Sequence, residues 1–484
     1  MNEEQNKQQL EADITLLNNL LGVEARKPGK AASLPAAIRV IELLEPAGGK
    51  DIPVFPASYA GVNDQSPPVY DLAGIEYDEG EDTVRVKNGK TGKIPRIKSA
   101  KLCAIDSPQS QANRMEPAFL EADDLRELVP RATATIPKRE NGMESVLSLP
   151  HRVADFRVRL SNHAAAVKNA IAAFAKGDAL PLIQAFPTSL LFGFWDSRGD
   201  EDVGVKHARI LLSRIDAHDV VPCRRHSQYT GPYSEDEFRE VVLDNSDKHE
   251  KLSKHGFTGA PSDGLGGVLV NGKIERISVL SLSDIARINC LDEPKETEKF
   301  ENTNAARRYL FALAALAEGH ERSKGSHRLR SGCELVAPNA NSKPKIEFRG
   351  TDPQNAAELA KLYNDRTRLI EIAKESIGIL GIKTEGETYE VTKEILRGQV
   401  VSDGEEAKRL KKEADDAQNA AKKAEEKAAK PGAKDKDKKD AEQKRRKANE
   451  LAAKAKELSA KLTETTASDA DTVQSQSTSE ALAQ

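Results

Sequence analysis

The segment from Ala104 to Phe119, Ala-Ile-Asp-Ser-Pro-Gln-Ser-Gln-Ala-Asn-Arg-Met-Glu-Pro-Ala-Phe, collects side chains suited to a polyanion. Ser107 can cap a helix that Pro108 opens, and Pro117 disfavours helix at Glu116, so the helix is about two turns long. At about 100° per residue, Gln109, Ser110, Asn113 and Arg114 share one face, with Ala112 and Met115 opposite. That face holds two amides, a hydroxyl and a guanidinium, without a carboxylate. It can donate to phosphates and meet base edges without repelling the chain that carries them. The same amides could bond the protein's own loops, and both readings stand. Further basic groups follow. Arg198 closes the Phe186–Ser197 stretch, Arg224 and Arg225 stand beside His226, Gln228, Tyr229 and Tyr233, and Lys254 belongs to a basic run from Lys248. Glycines 259, 264, 266 and 267 then permit close backbone approach.

In the segments singled out here, the carboxylates open to acid-base or metal chemistry are Asp106, Asp155 and Asp196. His151 with Arg152 stands four residues before Asp155, a spacing open to a general acid-base pair and equally to a structural salt link. Asp106, at a strand end, could ligate a metal or cap the following turn. The chain contains no H-E-x-x-H, G-x-S-x-G, GxGxxG or GxxxxGK[ST] sequence, so zincin, hydrolase-elbow, dinucleotide and phosphate-loop chemistries have no local signature. Trp195 is the only tryptophan. A base could stack on it, but both faces of Thr188–Trp195, read as a strand, are apolar, and core packing is the expected role.

The elements that would position these groups alternate. Strands are expected at Ile38–Leu44, Lys101–Ile105, Thr188–Trp195, Ala208–Ile215, Ile274–Leu282 and His327–Val336. Helices are expected from Ser107, over His151–Ala175 and over Asn304–Ala317. The order strand, helix, strand, strand, helix, strand predicts an α+β protein with a ferredoxin-like antiparallel sheet of the RNA-recognition kind. Long polar stretches at about 48–92 and 222–267 read as functional insertions. The body is expected to run over 1–403. Residues 404–484 form an Ala/Lys/Glu-rich tail, helical on both sides of Pro431-Gly432, solvated, and disordered at its end.

Hydrophobic residues are 38% and charged residues 31% of the 484, so much of the chain must be solvated. No run of about 18 apolar residues offers a membrane span. A polar N-terminus without a basic-then-apolar order points to the cytoplasm. The four cysteines lie far apart, outside any zinc or redox pattern. Net charge is −4, and its distribution is informative. Residues 405–462 carry 19 bases and 13 acids, whereas 1–404 carry 54 bases and 60 acids. A phosphate backbone would therefore be held by local basic clusters.

Four pieces, in order, carry a resemblance: Asp106–Glu116, Pro150–Asp155, Phe186–Ser197 and Leu329–Leu335. Together they resemble the type I-G (formerly I-U) backbone protein of CRISPR Cascade complexes, within the RAMP superfamily. The resemblance spans about Ile38–Val336 and leaves the tail outside. It implies a modified RNA-recognition fold whose copies stack along the spacer of a CRISPR RNA. Guide pairing then reads the sequence of the target DNA. The implied partners are further copies of itself, a large subunit, a fused RNA-processing subunit and an effector helicase-nuclease. No membrane and no cofactor are implied. Type I backbones generally do not cleave. A type III backbone uses a loop Asp and a metal to cut guide-complementary RNA, and Asp106 is the residue to which that alternative would attach. The residues expected to hold RNA are Gln109, Ser110, Asn113, Arg114, His151, Arg152, Arg198, Arg224, Arg225 and Lys254.

Overall fold

The computed structural model describes residues 3–60, 67–85, 91–136, 143–197, 204–229, 240, 260–291, 300–400, 403–429, 436 and 438–456. It divides into two compact units. The first comprises Met1–Thr135, Met143–Arg159 and His163–Tyr389, and the second Ile136–Gly142, Leu160–Asn162 and Glu390–Gln484. The expected site residues Arg198 and Lys254 and the Pro431-Gly432 break lie outside the described residues.

A nine-stranded sheet organises the first unit. Its strands are β1 (Ala37–Pro46), β2 (Leu72–Arg85), β3 (Thr91–Asp106), β4 (Leu211–Tyr229), β5 (Ala260–Val270), β6 (Ile274–Ser281), β7 (Ser326–Arg330), β8 (Cys333–Val336) and β9 (Lys345–Arg349). The larger helices are α1 (Glu3–Leu21), α2 (Pro108–Met115), α3 (Ala164–Ala175), α4 (Glu301–Ser323) and α5 (Arg366–Leu380). Strand order is β7-β8-β1-β6-β4-β3-β2, with β5 paired to β4 and β9 to β1. Every pairing in this sheet is antiparallel. Strands β8, β1, β6 and β4 lie in the 4-1-3-2 order of a β-α-β-β-α-β unit, as the sequence predicts. Within the two polar stretches, residues 72–85, 91–92, 222–229 and 260–267 belong to extended strands. Two long hairpins, β2–β3 and β4–β5, continue the sheet.

Alternation along the strands decides which face is covered. Ile38 and Val40 of β1, Leu211 of β4 and Leu280 of β6 are buried against Leu310, Phe311 and Leu313 of α4 in one core. On the opposite face of β1, Leu43 is 49% exposed. A second core gathers Cys103, Ile105, Ile215, Cys333 and Leu335. The four cysteines form no disulfide. Burial pushes the Cys103 thiol up to about 12 and that of Cys333 to about 11, so both stay protonated and inert.

Several local expectations need correction. Thr188–Trp195 is not one strand. Pro187–Phe192 is helical, Gly193 ends it at φ 78°, and only Phe194–Asp196 is extended. Proline at the first helical position and six consecutive buried residues explain the difference, because a short apolar run reads alike for strand and buried helix. The continuous helix expected over His151–Ala175 is broken into a 3-10 turn (Arg152–Ala154), Phe156–Arg159 and α3. Asp155 adopts an extended conformation and its carboxylate accepts from the Arg157 backbone N–H at 3.1 Å, which stops the first turn. The strand expected over His327–Val336 is the β7–β8 hairpin, turned at Gly332 with φ 74°. In the second unit, Asp403–Ala428 and residues 438–456 are helical. They are exposed on most faces, although Ala414 and Ala421, and Ala441 and Ala448, are buried.

Candidate nucleic-acid interface

The junction of β3 with α2 is built as the sequence suggests. Ser107 accepts from the Ser110 backbone N–H at 3.3 Å, Pro108 opens the helix, and Pro117 follows its end. Ser107, not Asp106, is therefore the cap. Asp106 has a side chain with no exposed surface. Its Oδ2 accepts from Gln111 Nε2 at 2.7 Å and from Arg114 Nε at 3.2 Å, and its Oδ1 from Arg330 Nη2 at 3.2 Å. Arg330 also donates to the carbonyls of Ile105 (3.1 Å) and Phe55 (3.3 Å), and Arg114 to that of Leu329 (2.9 Å). The first and last of the four sequence pieces thus meet around one carboxylate, and both of its oxygens are already engaged.

Gln111 carries the network beneath the sheet. Its Oε1 accepts from Arg276 Nε at 3.0 Å and Ser213 Oγ at 3.2 Å. Arg276, about 1% exposed, reaches Glu318 of α4 at 3.0 Å and Glu42 of β1 at 3.2 Å. His327 of β7 faces Glu42 at 3.2 Å and Glu321 at 3.5 Å. Burial would raise the Glu321 carboxyl, but hydrogen bonds from His327 and Lys324 hold it down at about 2. This network fastens α2 and α4 to β1, β4, β6 and β7.

The outward side of α2 differs. Gln109 and Asn113 are exposed, Ser110 and Arg114 half-buried. Arg114 turns its head to Asp106 instead of spreading it on that face. No residue of α2 is acidic, and Glu116 just beyond it is buried. Glu116 Oε2 accepts from Arg152 Nε at 2.8 Å. Burial pushes the Glu116 carboxyl up to about 7 despite the pull of Arg152. Arg152 also donates to the Gly193 carbonyl (3.3 Å) and to Asn113 Oδ1 (3.4 Å), and stacks 5.4 Å above the Phe192 ring. Its φ of 53° is a left-handed conformation costing roughly 1–3 kcal/mol for a side-chain-bearing residue. At Gly193 a side chain would be strained by the φ of 78° and crowded, its Cβ lying 3.0 Å from the His207 carbonyl oxygen and 3.1 Å from Arg209 Cγ. Around α2 two buried carboxylates, Asp106 and Glu116, therefore face three guanidiniums, those of Arg114 and Arg330 on Asp106 and of Arg152 on Glu116.

The remaining expected residues are dispersed. His151 is exposed, but it forms no pair with Asp155, whose carboxylate accepts from Arg157 Nε at 3.0 Å. The shared helix face expected for them is absent because the helix breaks there. Asp196 pairs with Arg159 at 2.5 Å, so each of the three candidate aspartates is held by arginine. No cluster of three metal-ligating side chains occurs among the described residues. Arg224, on the β4–β5 hairpin, reaches Asp82 of β2 at 3.3 Å, and Arg225 beside it is exposed.

Three basic residues were not singled out as binding groups from the sequence: Arg330 beside Asp106, Lys206 beside Trp195 and Arg209 beside Gly193. Arg330 lies inside the Leu329–Leu335 piece, which was a usable signal. Lys206 and Arg209 had none. Trp195 corrects an expectation, since it is 65% exposed and is not a core residue. Its neighbours Phe194 and Asp196 point inward, and the short strand they form with Val205–His207 turns Trp195 outward.

No helix among the described residues is long and apolar enough to cross a membrane. No curated protein matches the chain. Residues 38–222, which include β1, the β2–β3 hairpin, α2, Gly193, Trp195 and most of β4, match the family model described as CRISPR-associated protein GSU0053, and that match indicates a CRISPR-associated protein.

Proposed function

We propose that this chain is the backbone subunit of a type I CRISPR Cascade complex, of the I-G kind within the RAMP superfamily, and that it performs no chemistry itself. In this reading it binds CRISPR RNA in tandem copies and presents it for pairing with target DNA. Other Cascade subunits and an effector nuclease act alongside it, in the cytoplasm. The observation that carries the reading is the acid-free outward face of α2. Gln109 and Asn113 stand exposed there, while the flanking carboxylates are buried under arginines. A surface of this kind tolerates phosphates, and the sheet behind it has the strand order used by RNA-recognition modules. The match over residues 38–222 supplies the CRISPR context. The engaged state of Asp106 weighs against a ribonuclease centred there, because a metal would have to displace two guanidiniums.

Binding of a CRISPR RNA in a filter assay should weaken steeply and log-linearly with salt, by roughly 0.7 per phosphate neutralised. Gln109→Glu and Asn113→Asp place carboxylates on the exposed face without disturbing Asp106. Asn113→Asp even preserves the acceptor that Arg152 uses. The double variant should bind about tenfold or more weakly while melting like the wild type. Wild-type affinity in the double variant, or binding indifferent to salt, contradicts the reading.

A further inference from the structure

Trp195 stands on a two-stranded hairpin, Phe194–Asp196 paired with Val205–His207, in direct register with Lys206. Phe194 and Asp196 are 6% and 5% exposed, whereas the indole is 65% exposed. The Lys206 ammonium lies 5.7 Å from the ring centroid and is itself exposed, so it covers only part of the indole. Two residues before Trp195, Gly193 abuts Arg209. Arg209 Nε is buried with no hydrogen-bond partner among the described residues. Burial and the nearby Arg152 charge both disfavour the Arg209 cation.

We propose that Trp195 is a stacking platform for one unpaired nucleotide base, with Lys206 holding a phosphate that flanks it. The proposal rests on the RNA-binding reading and adds a site to it. A large exposed ring offers a π-face that any base can use, and a neighbouring cation suits the attached phosphate. Arg152, which donates to the Gly193 carbonyl and to Asn113 Oδ1, ties the base of this platform to α2. Bases stacked at Trp195 and phosphates lying along the α2 face would then belong to one continuous strand.

The full chain reports on its own platform, because its only tryptophan is Trp195. A single-stranded RNA and a matched strand of abasic sugar-phosphate are titrated while tryptophan emission and bound fraction are followed. The base-bearing strand should quench the emission and the abasic strand should bind with little quenching. Trp195→Ala should weaken the base-bearing strand about tenfold and leave the abasic strand unchanged, and Trp195→Phe should recover most of the loss. Binding without quenching, together with wild-type affinity in Trp195→Ala, overturns the platform. If Gln109→Glu/Asn113→Asp still weakens that binding, the RNA-binding reading survives it. Equal quenching by both strands also overturns the proposal, since the ring then senses a rearrangement and not a base. So does a change of self-association in Trp195→Ala with RNA affinity intact, which assigns the ring to a second copy. Absence of any RNA binding by the wild type removes both this site and the reading beneath it.

Discussion

Asp106→Ala should destabilise the protein by about 3 kcal/mol and should not act as a simple loss of chemistry. The carboxylate is fully buried and accepts from Gln111, Arg114 and Arg330, so its removal strands three donors. The two guanidiniums are 28% exposed and can recover part of their hydration, which keeps the cost near the lower end for a broken buried pair. Asp106→Asn, which keeps the shape and one acceptor, should cost less. Urea unfolding should show a lower midpoint with unchanged slope. A wild-type midpoint in Asp106→Ala would mean that the carboxylate is not structural, and would reopen a role for it in catalysis.

Arg276→Met should cost as much or more, about 3–5 kcal/mol. Here two carboxylates lose their partner, Glu42 and Glu318, and the side chain of Glu318 has no exposed surface with which to recover hydration. Arg322 still reaches Glu318 at 2.8 Å and softens the loss without removing it. Adding Glu318→Leu should restore part of the stability, because an apolar pair of similar volume avoids both desolvation costs. Since Gln111 touches both Asp106 and Arg276, the combined Asp106→Ala/Arg276→Met loss should differ from the sum of the single losses. Additivity in that cycle would show that the two ends of the network are independent.

Much of the frame was legible because local rules and tertiary packing agree. Ser107, Pro108 and Pro117 mark both ends of α2, and the Ala/Leu pattern marks α4, which is buried nearly all round. The 4-1-3-2 sheet follows from the order of those elements. Where packing overrode local pattern, reading failed. The apolar run from Thr188 suited a strand on both faces, yet Pro187 starts a helix and Gly193 ends it. Trp195 was read as core because its neighbours are core, but a three-residue strand alternates and throws it outward. The candidate site was half legible. Its polar face was visible in the spacing of Gln109 and Asn113, whereas the inward turn of Arg114 depends on Asp106 and on Leu329, more than two hundred residues away. Arg330 closes on Asp106 across a separation of 224 residues, which no local pattern records.

The central claim is that several copies of this chain share one guide along its phosphate backbone. The most direct test is the mass of the assembly formed by the chain and a CRISPR RNA, measured by native mass spectrometry with spacers of increasing length. Several copies per guide, increasing in steps as the spacer lengthens, is the result expected. A single copy whatever the spacer length, or no complex at low salt, would contradict the claim.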